Sequence, residues 1–352
     1  MKTKIKIVKL LLVMAIAFPA IYIWATDGNH LAVIASVDGD GTKVKRFSQN
    51  DLETPAKMGM KLFDKDTVIT GAASCALMFN TGDLVKVSPN SRLTVNMRPM
   101  DSKALTSISR KLAAAFFTED PQEDSLSTIG GVRAVEKDMP VLMYPKESTI
   151  PIEKPTFKWS EIPGAKNYVV TLTDSEGSVW TKEAALATLA YPTEFPVLKK
   201  GEPYFWQVDV VLKDTRKSSE TGTFDVIKDD LRAELNEIEA GLSKDVGDQS
   251  AHFMLASWYQ KHNMMHDAIE QYQKLAEMNP TSAYPQEQLG TAYMKLGWKE
   301  RAVEAFTKAT QLDPNSLAAH TCLVKLYQAT GEPEKAGVEQ GIVDKIQAGG
   351  AK

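Results

Sequence analysis

Residues 289–314 read LGTAYMKLGWKERAVEAFTKATQLDP, and the spacing of their small and aromatic side chains organises the last third of the chain. Ala268, Ala302 and Ala336 lie 34 residues apart, as do Tyr259, Tyr293 and Tyr327, and again Pro280 and Pro314. A fixed period of this size marks stacked units, none of which can bury its apolar face alone. Within the unit, Gly290, Ala302 and Ala309 let two helices approach closely while Tyr293 and Phe306 fill the gap between them. Pro314 ends the second helix and starts the next unit.

In register, Leu289, Gly290, Tyr293, Ala302, Phe306, Ala309 and Pro314 resemble the tetratricopeptide (TPR) pattern. The first unit keeps Leu255, Ala256, Tyr259, Ala268, Tyr272 and Pro280. The third keeps Leu323, Tyr327, Gly331 and Ala336 but carries Gln340 at the aromatic position. Three repeats are expected over 249–348, after a capping helix at 229–248 that places Glu234 and Ile238 at the alanine and aromatic positions of a half-repeat. The resemblance implies a groove lined by the first helix of each repeat, where peptides or partner helices lie. Following the family pattern, the lining is Phe253, Ser257 and Gln260; Tyr284, Glu287, Thr291 and Met294; and Thr321, Lys325 and Gln328. Ser257 and Thr291 stand where the carboxylate clamp of chaperone-binding members needs asparagines. The expected occupant is therefore an apolar peptide or helix over Phe253, Tyr284 and Met294.

Upstream, residues 138–228 read as strands. PTFKWSEIPGAKNYVVTLTD (155–174) puts Trp159 and Tyr168 on consecutive strands around a turn at Ile162–Ala165, and LKKGEPYFWQVDVV (198–211) carries Tyr204 and Trp206. The early Trp, the following Tyr and the Leu198-x-x-Gly201-x-x-Tyr204 corner resemble a fibronectin type III or immunoglobulin-like sandwich. That resemblance implies a core role for Trp159 and a Tyr204 hydroxyl bonded back to the chain. An exposed Trp180 or Trp206 would instead suit stacking on a glycan.

Residues 30–97 contain GMKLFDKDTVITGAASCALMFNTGDLVKV (59–87), whose period-two spacing around Asn80-Thr81-Gly82-Asp83 is a hairpin signal. Gly59 and Leu62, then Asp66, Val68, Thr70 and Gly71, then the hairpin, resemble the FecR-type domain. Such domains occur in membrane regulators of sigma factors, which implies a signalling alternative. The regulatory helix of those proteins precedes a membrane span, and with nine residues ahead of Leu10 none is expected here.

Residues 1–25 pair four lysines with an apolar run from Leu10 to Ala25. This reads as a cleaved signal peptide or as an uncleaved inner-membrane anchor formed by residues 5–25, and either exports the remainder of the chain. Residues 98–137 are polar and acidic enough to read as a linker. With 43% apolar and 24% charged residues the chain reads as globular. Setting aside the first 25 residues leaves 37 basic against 45 acidic residues, a poor match to nucleic acid. Cys75 and Cys322 fall in different modules and read as two small buried hydrophobes. His262 and His266 flank a turn and read as solvated rather than as half of a zinc site, and DGDG (38–41) lacks the acids of a calcium loop. No nucleotide, hydrolase or metalloprotease motif is present. The reading is a non-enzymatic exported scaffold without cofactor or metal: an all-β domain, a β-sandwich and an all-α solenoid that holds a protein partner. The alternatives are a FecR-type regulator and a cell-wall or glycan-binding module.

Overall fold

The computed structural model describes residues 30–49, 52–80, 84–96, 139–213, 215–245 and 248–349. The expected signal or anchor at 1–25, the linker at 98–137 and the hairpin tip at 81–83 lie outside them.

The first β module has two antiparallel sheets. One runs β4 (Lys61–Leu62), β1 (Ala32–Val37), β6 (Cys75–Phe79), β7 (Leu84–Val87); the other runs β3 (Leu52–Pro55), β2 (Lys43–Arg46), β5 (Thr67–Ile69), β8 (Arg92–Thr94). The core between them contains Ala32, Ile34, Val44, Leu62, Val68, Cys75 and Leu77. Strands β6 and β7 pair as the expected hairpin, Met78 opposite Leu84 and Cys75 opposite Val87.

The polar residues of the Asp66–Gly71 motif act as pins. The Asp66 carboxylate is buried and accepts from the Arg46 guanidinium at 2.6 Å and from the backbone N–H groups of Phe47 and Phe63. The Thr70 hydroxyl donates to the Ser88 carbonyl at 2.6 Å and accepts from the Ser91 N–H at 2.8 Å, tying β5 to the loop after β7. Gly71 lies against the backbone of Asp40 and Gly41, where a side chain would press within 3.3 Å.

The second β module also has two sheets. The larger runs β10 (Ser148–Ile150), β17 (Gly222–Val226), β15 (Pro203–Val211), β12 (Asn167–Asp174), β13 (Gly177–Ala184), with β16 (Arg216–Ser218) on β15. The smaller runs β14 (Thr188–Ala190), β11 (Thr156–Trp159), β9 (Leu142–Tyr144). Alternate residues of β12 and β15 enter a core shared with Phe157 and Trp159, and the Tyr204 hydroxyl accepts from the Lys199 N–H at 2.8 Å. Trp180 and Trp206 are both buried in this core, with Phe157 edge-on to each, and the Trp206 indole donates to the Pro145 carbonyl. Neither ring has a face for sugar, so the glycan-binding alternative loses the residues on which it rested.

Among the described residues seven helices come next: α1 (Asp229–Asp245), α2 (Asp248–Lys261), α3 (Met265–Met278), α4 (Tyr284–Lys295), α5 (Lys299–Leu312), α6 (Leu317–Thr330) and α7 (Pro333–Gly349). Pairs α2/α3, α4/α5 and α6/α7 are the three repeating hairpins. A Cβ on Gly290 would meet the Phe306 ring at 2.7 Å, so glycine sets the approach of α4 to α5. Asn263, Gly297 and Gly331, again one period apart, close the first helix of each pair with positive φ. Ile238 of α1 is buried, and Glu234 and Glu239 accept from the Trp258 indole and Tyr259 hydroxyl of α2. Cys75 is buried and Cys322 half-buried, and both are free thiols.

Asp66→Ala leaves two backbone N–H groups without their acceptor and the Arg46 guanidinium without its counter-charge. Unfolding in urea should show a loss of about 3 kcal/mol; an unchanged midpoint would show that the pin is not structural.

Candidate functional site

The candidate site is the face of the array lined by α2, α4 and α6, and much of it is covered from within the chain. Along β1, Ala32 and Ile34 point into the β core, while Val33 and Ala35 join a second cluster that contains Phe253, Ala256 and Trp258 of α2. On β6, Ala76 and Met78 do the same opposite Cys75 and Leu77. Both strands are therefore apolar on both sides, and β1 lies along α2. Met58 joins the same cluster, and Gly59 comes after it with φ +78°. A Cβ at Gly59 would stand 2.2 Å from the Tyr284 ring. The Lys57 ammonium pairs with Asp313, at the end of α5, at 2.5 Å.

Phe253 is fully buried with its ring 5.4 Å from that of Tyr284, and Tyr284 is in turn 6.5 Å from Tyr272. Burial pushes the Tyr284 hydroxyl well above its usual range. The Tyr272 hydroxyl donates to Gln260 at 2.6 Å, and the Ser257 hydroxyl donates to the Phe253 carbonyl. Glu287 accepts from the Ser316 hydroxyl at 2.5 Å, and burial raises its pKa. The apolar pair expected to receive a peptide, Phe253 and Tyr284, is thus packed against the first β module. Sequence periodicity alone does not reveal this, because a short apolar strand looks the same whether one face is buried or two. Farther along, Thr291, Met294, Thr321 and Lys325 keep part of their surface open and Gln328 is exposed.

The second β module grips the opposite ends of the hairpins. The Ser148 hydroxyl accepts from the Met265 N–H at 2.9 Å, while the Thr149 N–H donates to the Asn263 carbonyl. No side chain of α3 itself caps this helix start. His266 is correspondingly not solvated. Its ring meets Tyr144 at 4.8 Å and Trp298 at 5.7 Å, and its Nε2 accepts from the Lys146 N–H at 3.3 Å. Burial lowers its pKa to about 4 and raises that of neighbouring Asp267 to about 6. His262 rests on the Trp258 ring at 4.4 Å.

Two family models, each described as a tetratricopeptide repeat, match residues 250–282 and 286–316. These residues are tetratricopeptide repeats. A comparison with curated proteins finds no match. Among solved structures, a MamA chain (MSR-1) is 22% identical over 34% of this chain and 69% of its own, with a TM-score of 0.30. Dimeric latent PorU from Porphyromonas gingivalis is 13% identical over 55% of this chain and 17% of its own, with a TM-score of 0.21. A β-1,2-glucanase from Parabacteroides distasonis is 11% identical over 90% and 49%, with a TM-score of 0.22. The assignment of the helical region rests on the repeats themselves.

Gly59→Ala should undock the first β module, through both ring overlap and backbone strain, and lower stability by about 2 kcal/mol or more. Tyr284→Ala in the same chain should restore part of that loss; additive losses in urea unfolding would show that the two residues do not meet.

The half-buried neighbours His266 and Asp267 set pH dependences of opposite signs. His266 is lowered from its ordinary 6.5, so the unfolded chain takes up the proton first and stability falls as pH drops from 6.5 to about 4. Asp267 is raised, so its protonation in the folded chain restores stability as pH falls from about 6 to 3.8. Asp267→Asn removes the offset and should lose on the order of 2–3 kcal/mol between pH 6.5 and 4. Adding His266→Gln should flatten that profile; two equal slopes would place the acid dependence elsewhere.

Proposed function

We propose that the chain is a non-enzymatic exported scaffold, periplasmic or tethered to the inner membrane through residues 5–25. It holds a protein partner on the open half of the repeat face. The tetratricopeptide repeats carry this reading, because such arrays offer surfaces to proteins rather than chemistry to substrates. The first β module is read as FecR-like and the second as fibronectin type III or immunoglobulin-like, the latter supported by the buried Trp159 and the Tyr204 corner. Their role in this reading is architectural: one covers the groove around Phe253 and Tyr284, the other fixes the hairpin ends at Asn263 and Trp298. The partner then meets Thr291, Met294, Thr321, Lys325 and Gln328. That surface is mixed and carries a lysine, which suits a peptide or helix with polar and acidic residues beside an apolar anchor.

The test is crosslinking and mass spectrometry of the full chain in its own cells. Lys325→Glu combined with Gln328→Ala should lose a partner that the wild-type chain retains, at unchanged thermal stability. Retention of every partner overturns the surface, and reporter fusions after Asn96 that read cytoplasmic overturn export.

A further inference from the structure

The last helix of the array keeps one face bare. On its inner side Ala336 and Val343 of α7 are buried, and Glu339 holds the His320 ring of α6 at 2.5 Å. On its outer side Glu334, Val338, Gly341, Lys345 and Ala348 follow one another at alternating steps of four and three residues. That spacing aligns side chains along one flank of a helix. Val338 is 64% exposed, whereas the end helix of a repeat array ordinarily turns a polar face outward. Among the described residues neither Glu334 nor Lys345 has an ion-pair partner, while Lys335 and Glu332 on the inner side pair with each other. The glycines of this flank also have no reason inside the chain. Gly290 is required by the Phe306 ring, but a Cβ at Gly337 or Gly341 meets nothing within 4 Å. Glycine within a helix is less stable than alanine, so both positions weaken α7 without any close contact in the chain to require them.

We propose that a second copy of this chain docks on this flank, α7 against α7, antiparallel about a two-fold axis. In that register Val338 lies over Gly341 of the second copy and Glu334 meets its Lys345, and symmetry makes each contact twice. The missing side chain at Gly341 is the space that the valine fills. Charge selects the direction: a parallel pair would set Glu334 against Glu334 and Lys345 against Lys345, and like charges at one level repel. Helix α7 has 17 residues and is about 25 Å long. One such helix per copy covers less than the ~1,200 Å² of a stable specific complex. The dimer is accordingly weak, of the micromolar class or weaker, and loosens as salt screens its exposed ion pairs. None of these residues belongs to the open partner face, so a dimer carries two such faces on one particle.

The experiment measures self-association of the full chain in mild detergent, by sedimentation over a concentration series and by oxidative crosslinking. Glu334→Lys or Lys345→Glu alone should weaken the dimer at least about tenfold, and both changes in one chain should restore it, because the pairs are then only reversed. Gly341→Leu should abolish the dimer while thermal unfolding stays level or rises, since leucine favours helix and meets nothing inside the chain. A merely structural role for Gly341 would move both readouts down together. For the register, Cys322→Ser leaves buried Cys75 as the remaining native thiol. In that background a chain with Val338→Cys, mixed with a differently tagged chain with Gly341→Cys, should form a mixed disulfide. Leu186→Cys, exposed on the second β module, should form none with it. A monomer at every concentration, failure of the double charge reversal to recover the dimer, or absence of the mixed disulfide overturns the proposal. So does a dimer that survives Gly341→Leu, which assigns association to another part of the chain such as residues 5–25. Lys325→Glu and Gln328→Ala should leave the dimer unchanged, so the two surfaces fail or stand separately.

Discussion

The architecture depends on a six-residue strand that has no solvent side. Ala32 and Ile34 of β1 hold the first β module together, and Val33 and Ala35 between them hold that module against α2. Each fully buried valine- or methionine-sized side chain contributes roughly 1.5–3 kcal/mol relative to exposure. Val33, Met58 and Met78 therefore bind the module to the helices as firmly as a core binds itself. A register slip of one residue would exchange the two faces and misfit both, so pairing to β6 and docking to the helices specify each other.

From the other side, the second β module supplies what the repeats lack. Helix α3 begins without a cap of its own, and Ser148 provides the acceptor across the interface. The positions that close the first helices, Asn263 and Gly297, are also where Thr149 and Lys146 approach. Repeat arrays ordinarily contact only their neighbours along one axis. Here two long-range partners clamp the first two hairpins, while α7 is left with Val338 and Gln340 both exposed.

The repeats were legible because their signal is periodic and local: Gly290, Phe306 and Ala302 stand where helix packing requires them. The Tyr204 corner and the β6–β7 hairpin were legible for the same reason. The groove's fate was not. Phe253 and Tyr284 occupy the expected face, but the strands that cover them lie far earlier in the chain, and no spacing rule reaches that far. Trp180 and Trp206 show the related limit, since an alternating strand does not say which face its large rings take. His266 looked like a turn residue because the wall it meets, Tyr144 and Lys146, belongs to another module.

The Gly59–Tyr284 contact has a thermodynamic corollary for selectivity. The segment over that ring is tethered to it by the same chain, so its effective concentration at the site is of roughly millimolar order. A free peptide aimed at Phe253 and Tyr284 must outcompete that tethered rival as well as meet its own ordering entropy. Any ligand for those two rings would also have to compensate displacement of the whole module.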